Sequence, residues 1–360
     1  MSDMRVLYDH QAFEMQRFGG ISRYFDELIR AVPAEARLSL LLSDNYYIRD
    51  KCCFPVPSLP YKCLKGGVKI SNRWYSRQAL RTGKYDLFHP TYYNPYFLSE
   101  LGNKPFVLTV HDMNHELFPH LFRNADQMIA WKKETIRRAS HIIAISENTR
   151  RDIMEVYNVA PERITVIYHG AGERAPEDGG LALPERYILY VGARGGYKNF
   201  DRLLMAFRSL TLEDDSLHLV CVGKPFKKRE WERCRELGVA DRIRAMQVGT
   251  AGLGQVYRQA LLFVYPSLYE GFGIPILEAY SHRCPVALSR ASCFPEIAGD
   301  AGAYFEPESV ESIRETIAGL LKAPEKRESL VQAGELRLKR YSWQETARLT
   351  GAVYRRVVEG

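Results

Sequence analysis

Short apolar runs alternate with amphipathic stretches along this chain, and the alternation occurs twice. RVLYD (5–9), DLFHP (86–90), PFVLTVHD (105–112), HIIAIS (141–146) and ITVIYHG (164–170) read as buried strands. Helical periodicity fills 19–32, 124–139 and 147–159 between them. Strands separated by helices pair in parallel and have both sheet faces covered. GAGERAPEDGGLALPE (170–185) then breaks the pattern with Gly, Pro and charge. It restarts with RYILYVG, a helix from Asn199, SLHLVCVG, RIRAMQVG, LLFVYPS, CPVALS and GAYFEP. Ser342 with Glu345 three residues on forms a capping box that opens a last helix. The expected organisation is an N-terminal α/β domain (1–172), a linker (173–185), a second α/β domain (186–341) and a C-terminal helix (342–360) packing back toward the first domain. Two doubly wound parallel sheets put a ligand site at the carboxyl ends of their strands, in a cleft between the domains.

At 360 residues the chain exceeds what one core usually serves. No run of about 18 apolar residues spans a membrane, and the polar start lacks the apolar segment of a signal peptide. The seven cysteines are odd in number and form no CxxC pair. Free, mostly buried thiols in a reducing cytoplasm are the expectation. The net charge of +7 has one source. Lys62, Lys65, Lys69, Arg73, Arg77, Arg81 and Lys84 fall between Leu59 and Tyr85 with no acid among them, and five recur at spacing four. A solvated helix face and a surface for anionic headgroups, or for a lipid-phosphate acceptor, both fit that stripe. No nucleic-acid motif accompanies it, so no nucleic-acid partner is expected.

The strand ends of the second domain carry the chemistry. YILYVG runs into ARGGYKNF, which sets Arg194 and Lys198 in a glycine-bearing loop at a helix start, suited to a pyrophosphate. The glycines fit neither G-x-G-x-x-G nor a Walker loop. LLFVYPS leads into YEGFGIPILEA (269–279), where Glu270 and Glu278 flank a turn entering a helix near Ile274. Pro275 suits a first-turn position. The amides of Phe272, Gly273 and Ile274 then point at a phosphate. The two glutamates flank one anion site without needing to touch.

This segment resembles the retaining, nucleotide-sugar-dependent glycosyltransferases of the GT-B class, group 1 or family 4 type, which include bacterial polysaccharide mannosyltransferases. VGARGGYKN is similar to their basic phosphate loop, and Gly19-Gly20-Ile21 and His111-Asp112 to their acceptor-domain motifs. His169-Gly170 stands where many relatives have Asn-Gly. The resemblance implies that Arg194 and Lys198 bind the donor diphosphate and stabilise the leaving group. It implies that Glu278 bonds the ribose hydroxyls, Glu270 faces the transferred sugar, and the Gly273 and Ile274 amides hold phosphate and sugar oxygens. His111 would lie near the anomeric centre, and Gly19 and Gly20 would let the backbone approach the diphosphate. HDMNH also spaces His111 and His115 as two metal ligands on a helix could be, and a structural histidine is a further reading.

The expected reaction moves a hexose, mannose from GDP-mannose as first choice, to a polysaccharide, O-antigen or lipid-linked acceptor. No Asp-x-Asp motif exists to hold a metal, so a metal-independent reaction without cofactor is expected. The alternatives are a nucleotide-sugar epimerase or hydrolase of the same fold and a non-catalytic nucleotide-sugar-binding protein.

Overall fold

The computed structural model describes residues 4–15, 17–48, 54–55, 58–172 and 180–360; for 54–55, 58–63 and 65 it describes the backbone alone. The 173–179 part of the expected linker, Cys52 and Cys53, and the side chains of Cys63, Lys62 and Lys65 lie outside the described residues. The chain divides into two compact units, Met1–Gly170 with Ser342–Gly360, and Ala171–Tyr341.

In the first unit β1 (Arg5–Tyr8) lies between β2 (Glu35–Leu38) and β5 (Leu87–His89), all parallel. A two-residue pair joins β3 (Leu42–Ser43) to β4 (Phe54–Pro55). β6 (Val107–Val110), β7 (His141–Ala144) and β8 (Ile164–Val166) form a second parallel set. One bridge, Phe88 to Phe106, connects the two. α1 (Gln11–Met15), α2 (Gly20–Ala31), α3 (Ser58–Arg81), α4 (Asn114–Leu117), α5 (Ala125–Arg138) and α6 (Glu147–Tyr157) intervene.

The second unit is regular. β9 (Tyr187–Val191), β10 (His218–Val222), β11 (Ile243–Met246), β12 (Leu262–Tyr265), β13 (Val286–Ser289) and β14 (Gly302–Phe305) form one parallel sheet in the order β11-β10-β9-β12-β13-β14. α7 (Phe200–Glu213), α8 (Lys228–Glu236), α9 (Thr250–Gln259), α10 (Ile274–Ser281), α11 (Phe294–Ala298), α12 (Val310–Lys322) and α13 (Pro324–Leu338) connect or cover the strands. Strand order reverses between β9 and β12, and doubly wound sheets hold ligands beyond the carboxyl ends of the strands at such a switch point.

The last helix, α14 (Trp343–Glu359), belongs to the first unit. Ser342 Oγ accepts the Glu345 N–H, so half of the capping box forms; the Glu345 carboxylate binds Arg348 instead. Trp343, Ala347, Val353 and Tyr354 enter the core of β1 and α2. Tyr354 also joins a buried polar chain. Its hydroxyl meets Tyr8 Oη at 2.9 Å and His89 Nδ1 at 2.5 Å, and His89 Nε2 reaches Thr109 at 3.0 Å. Buried polar groups are tolerable only when partnered in this way.

The basic stripe does lie on one helix, α3, but its parts differ. Arg77 and Arg81 pair with Glu100, and Arg73 donates to Asn94 Oδ1 at 3.0 Å. Leu64, Ile70 and Trp74 on the same helix are 60%, 72% and 59% exposed. Cys221, Cys234, Cys284 and Cys293 are free and buried. No helix among the described residues is long and apolar enough to cross a membrane.

Candidate active site

Two loops meet at the switch point of the second sheet. After β9, Gly192 takes φ +130°, a conformation side chains disfavour, and its N–H donates to Val222 O. The loop ends on Asn199 in the left-handed region, whose Nδ2 donates to Pro266 O at 3.0 Å and Pro307 O at 2.7 Å. Leu268 N–H donates to Tyr197 O at 2.8 Å. The loops after β9 and β12 are thus tied together by main-chain oxygens, which fixes where their charged residues stand.

Those ties bring Lys198 and Glu270 into contact. Lys198 Nζ lies 2.6 Å from Glu270 Oε1, with both side chains mostly buried. Glu270 is held from a third loop as well. Ser292 Oγ donates to Glu270 O at 2.6 Å and accepts from Glu270 N–H at 3.2 Å. Ser292 has φ +53°, unusual for a residue with a side chain. Tyr265 is buried beside the carboxylate and bonds it; burial, then the Glu270 charge, pushes its hydroxyl pKa well up.

Arg194 points to a different acid. Its Nε lies 2.8 Å from Glu230 Oε1, Nη2 donates to the Lys224 and Pro225 carbonyls, and the guanidinium sits 4.0 Å over the Phe226 ring centroid. Glu230 also accepts the Lys227 N–H at the start of α8. Only Nη1, itself buried, has no hydrogen-bond partner among the described residues. Arg194 is therefore rigidly mounted on Glu230 and two main-chain carbonyls.

α10 begins at Ile274 with Gly273 as its cap, at φ +92° and with no side-chain cap bond. A Cβ on Gly273 would meet Ile276 Cδ1 at 3.1 Å and Phe294 at 3.2 Å, so glycine is required twice over. Pro275 stands in the first turn. Ile276, Leu277, Ala279 and Tyr280 bury the inner face. Glu278, one turn in, accepts from Tyr257 Oη at 3.2 Å. The amide dipoles of this helix start favour an anion.

The other residues singled out from sequence belong to the first unit. His111 follows β6 and is buried against Tyr24 and Phe25, with His169 stacked nearby. Burial, reinforced by His89 and Lys132, lowers its pKa to about 3, so it is a neutral imidazole. Its Nε2 has no hydrogen-bond partner among the described residues. His111 precedes the four-residue α4 and His115 lies inside it, so the two do not share a helix face. Among the described residues no group of three or more potential ligands could hold a metal ion. Gly19 caps α2 in extended backbone (φ −179°), which any residue adopts, so conformation alone does not demand glycine there; Gly20 is the first helical residue.

Sequence reasoning missed Ser292, Tyr265, Asn199, Tyr257 and Glu230. Of these, Asn199 lay inside a motif already singled out. Ser292 had a weaker signal, a polar loop directly after a buried strand.

Parallel strands covered by helices, with cations and a helix start at the switch point of the second sheet, define the class of doubly wound α/β proteins. Two α/β units with parallel sheets in one chain are the GT-B architecture. The Anabaena protein HepE, solved with UDP and glucose, superposes with a TM-score of 0.75 at 16% identity, over 98% of this chain and 99% of its own. Sucrose-phosphate synthase of Thermosynechococcus elongatus gives 0.74 at 18% identity, over 99% of each chain. Residues 173–337 match the family described as Glycosyl transferases group 1, and residues 18–171 match Glycosyltransferase Family 4. The O-antigen chain mannosyltransferase B of Escherichia coli is 30% identical over 93% of this chain and 96% of its own length. The chain belongs to this family and is a glycosyltransferase.

Proposed function

We propose that the protein transfers mannose from GDP-mannose to a saccharide acceptor of polysaccharide or O-antigen type, with retention of anomeric configuration and without a metal ion. The observation that carries this reading is the switch point of the second sheet, where the loop bearing Lys198 is tied to the loop that runs through Glu270 into the start of α10, whose amide dipoles favour an anion. The sugar rests on the 30%-identical relative, an O-antigen chain mannosyltransferase. Breaking the anomeric C–O bond builds negative charge on the diphosphate and positive charge on the sugar. Lys198, the α10 amides and Arg194 Nη1 oppose the first; the Glu270 carboxylate opposes the second. Glu278 takes the ribose hydroxyls. The departing phosphate accepts the acceptor's proton, so no protein nucleophile is required. The exposed Leu64, Ile70 and Trp74, beside Lys69 and Arg73, dock α3 on an anionic membrane surface, where lipid-linked acceptors reside.

The test is transfer of radiolabelled mannose from GDP-mannose in excess EDTA, beside UDP-, dTDP- and ADP-sugars. Turnover should persist with EDTA and be highest with GDP-mannose. Loss of turnover in EDTA with recovery on adding magnesium or manganese refutes the metal-free step; preference for another nucleotide refutes the donor.

A further inference from the structure

We infer that Lys132 is a positioning residue for sugar transfer: with Tyr93 it holds the turn at His111 and Asp112 beyond β6, so that the His111 imidazole keeps one orientation. It goes beyond the donor reading and rests only on the glycosyltransferase activity. The turn stands at the carboxyl end of a parallel strand, where doubly wound sheets meet their ligands. His111 is buried there, and its Nε2 has no hydrogen-bond partner among the described residues. Burying such an atom is costly, so a side chain kept in that state is held by its surroundings.

The helical repeat puts Lys132 on the buried face of α5, with Met128 one turn before it and Ile136 one turn after. Its side chain is 0% exposed and that of Glu116 is 3% exposed. A lysine enters the interior only when its charge is met. Here Nζ lies 2.9 Å from Glu116 Oε2, donates to Asp112 O at 2.9 Å and stands 4.9 Å from the Tyr93 ring centroid. The Tyr93 hydroxyl in turn accepts the His111 N–H at 2.9 Å. One ammonium therefore grips the Asp112 carbonyl and the ring that holds the His111 amide, the two ends of a two-residue turn.

The grip is itself anchored. The second oxygen of Glu116 accepts from Tyr157 Oη at 2.5 Å, and Tyr157 lies in α6. Burial, then the Glu116 bond and charge, pushes the Tyr157 hydroxyl pKa well up, so it remains a donor. Asp112 Oδ1 accepts the Asn114 N–H at 3.1 Å, which leads the turn into α4. A buried ion pair is a weak stabiliser, because desolvation offsets the attraction, and replacing both partners by neutral groups of like size is often neutral for stability. What this pair adds is a fixed place for the turn.

The test separates position from stability. Lys132→Met combined with Glu116→Gln removes both charges at similar volume, whereas Lys132→Met alone would strand a buried carboxylate and destabilise the chain. Steady-state kinetics on the full chain use whichever nucleotide sugar the wild type turns over fastest. In the double variant kcat should fall about 10- to 100-fold, the cost of misplacing a group by on the order of one ångström, with KM for the donor within about threefold. Tm should stay near wild type. Amide hydrogen exchange over 111–118 should quicken at least about tenfold, with 107–110 unchanged. Tyr93→Phe, which deletes only the hydroxyl that holds the His111 amide, should show the same split and carries the test if the double variant does not fold. Lys133→Met, on the exposed side of α5, should keep wild-type kcat. Wild-type kcat in the folded double variant or in Tyr93→Phe overturns the proposal, as does a loss of kcat that only follows a loss of Tm. A preference for a nucleotide sugar other than GDP-mannose would sink the donor reading without touching this comparison.

Discussion

Moving the full chain from pH 7 to pH 5 is expected to remove on the order of 5 kcal/mol or more of stability, with a correspondingly large fall in Tm. Five histidines of the first unit are buried: His10, His89, His111, His141 and His169. Burial lowers His89 and His111 to about 3 and His10 and His141 to about 4, and carries His169 well below its ordinary value. A histidine lowered on folding contributes stability above its unfolded pKa near 6.5. That contribution is lost as pH falls toward the folded pKa, because the unfolded chain takes up the proton first. At pH 5 each such group costs about 2 kcal/mol relative to pH 7. Glu14 acts in the opposite sense. Its raised pKa contributes stability below the ordinary carboxyl range that is lost as pH rises through about 7, so it offsets about one histidine. A net loss of this size is comparable with the whole stability of many domains. Urea unfolding at the two pH values, followed by circular dichroism, measures it; equal midpoints at pH 5 and pH 7 would show that these histidines do not stay neutral in the fold.

Replacing Lys198 with Ala should lower kcat by about 100- to 1,000-fold, the range for losing one preorganised charge stabiliser. The interaction is stronger in the transition state than in the bound donor, because charge grows on the phosphate only as the bond breaks. KM for GDP-mannose should accordingly change by less than about tenfold. The substitution also leaves Glu270, only 12% exposed, without its cation. Part of the loss would then come from a repositioned carboxylate. Lys198→Arg, which keeps charge but not shape, should recover part of the turnover. Steady-state kinetics on purified variants decides the matter: kcat within about twofold of wild type in Lys198→Ala would take the residue out of the mechanism.

The strands and the site-bearing loops were legible in the sequence because apolar runs, Gly, Pro and charges sit close together along the chain. YILYVG, LLFVYPS and the turn at Gly273 each declare themselves within about ten residues. The contacts that give the site its shape do not. Lys198 and Glu270 are 72 positions apart, Arg194 and Glu230 are 36 apart, and Glu270 and Ser292 are 22 apart. Periodicity carries no information on such pairings. The spacing assigned Arg194 and Lys198 as a matched pair of cations, and the fold gives each a different carboxylate. EARL (35–38) was not read as a strand, being a half-exposed edge without an apolar run. Glu14 showed nothing in sequence, since its partner Asn72 lies 58 residues away on another helix. The basic stripe was visible as charge, but Glu100 decides which of its arginines are occupied.

A crystal structure of the full chain with GDP is the most direct measurement of the central claim, that the second sheet's switch point grips the donor diphosphate. The phosphates should lie within hydrogen-bond distance of the Gly273 or Ile274 amide and of Lys198 Nζ, with the ribose hydroxyls on Glu278. A GDP diphosphate bound away from the 192–199 loop and the start of α10 would contradict it.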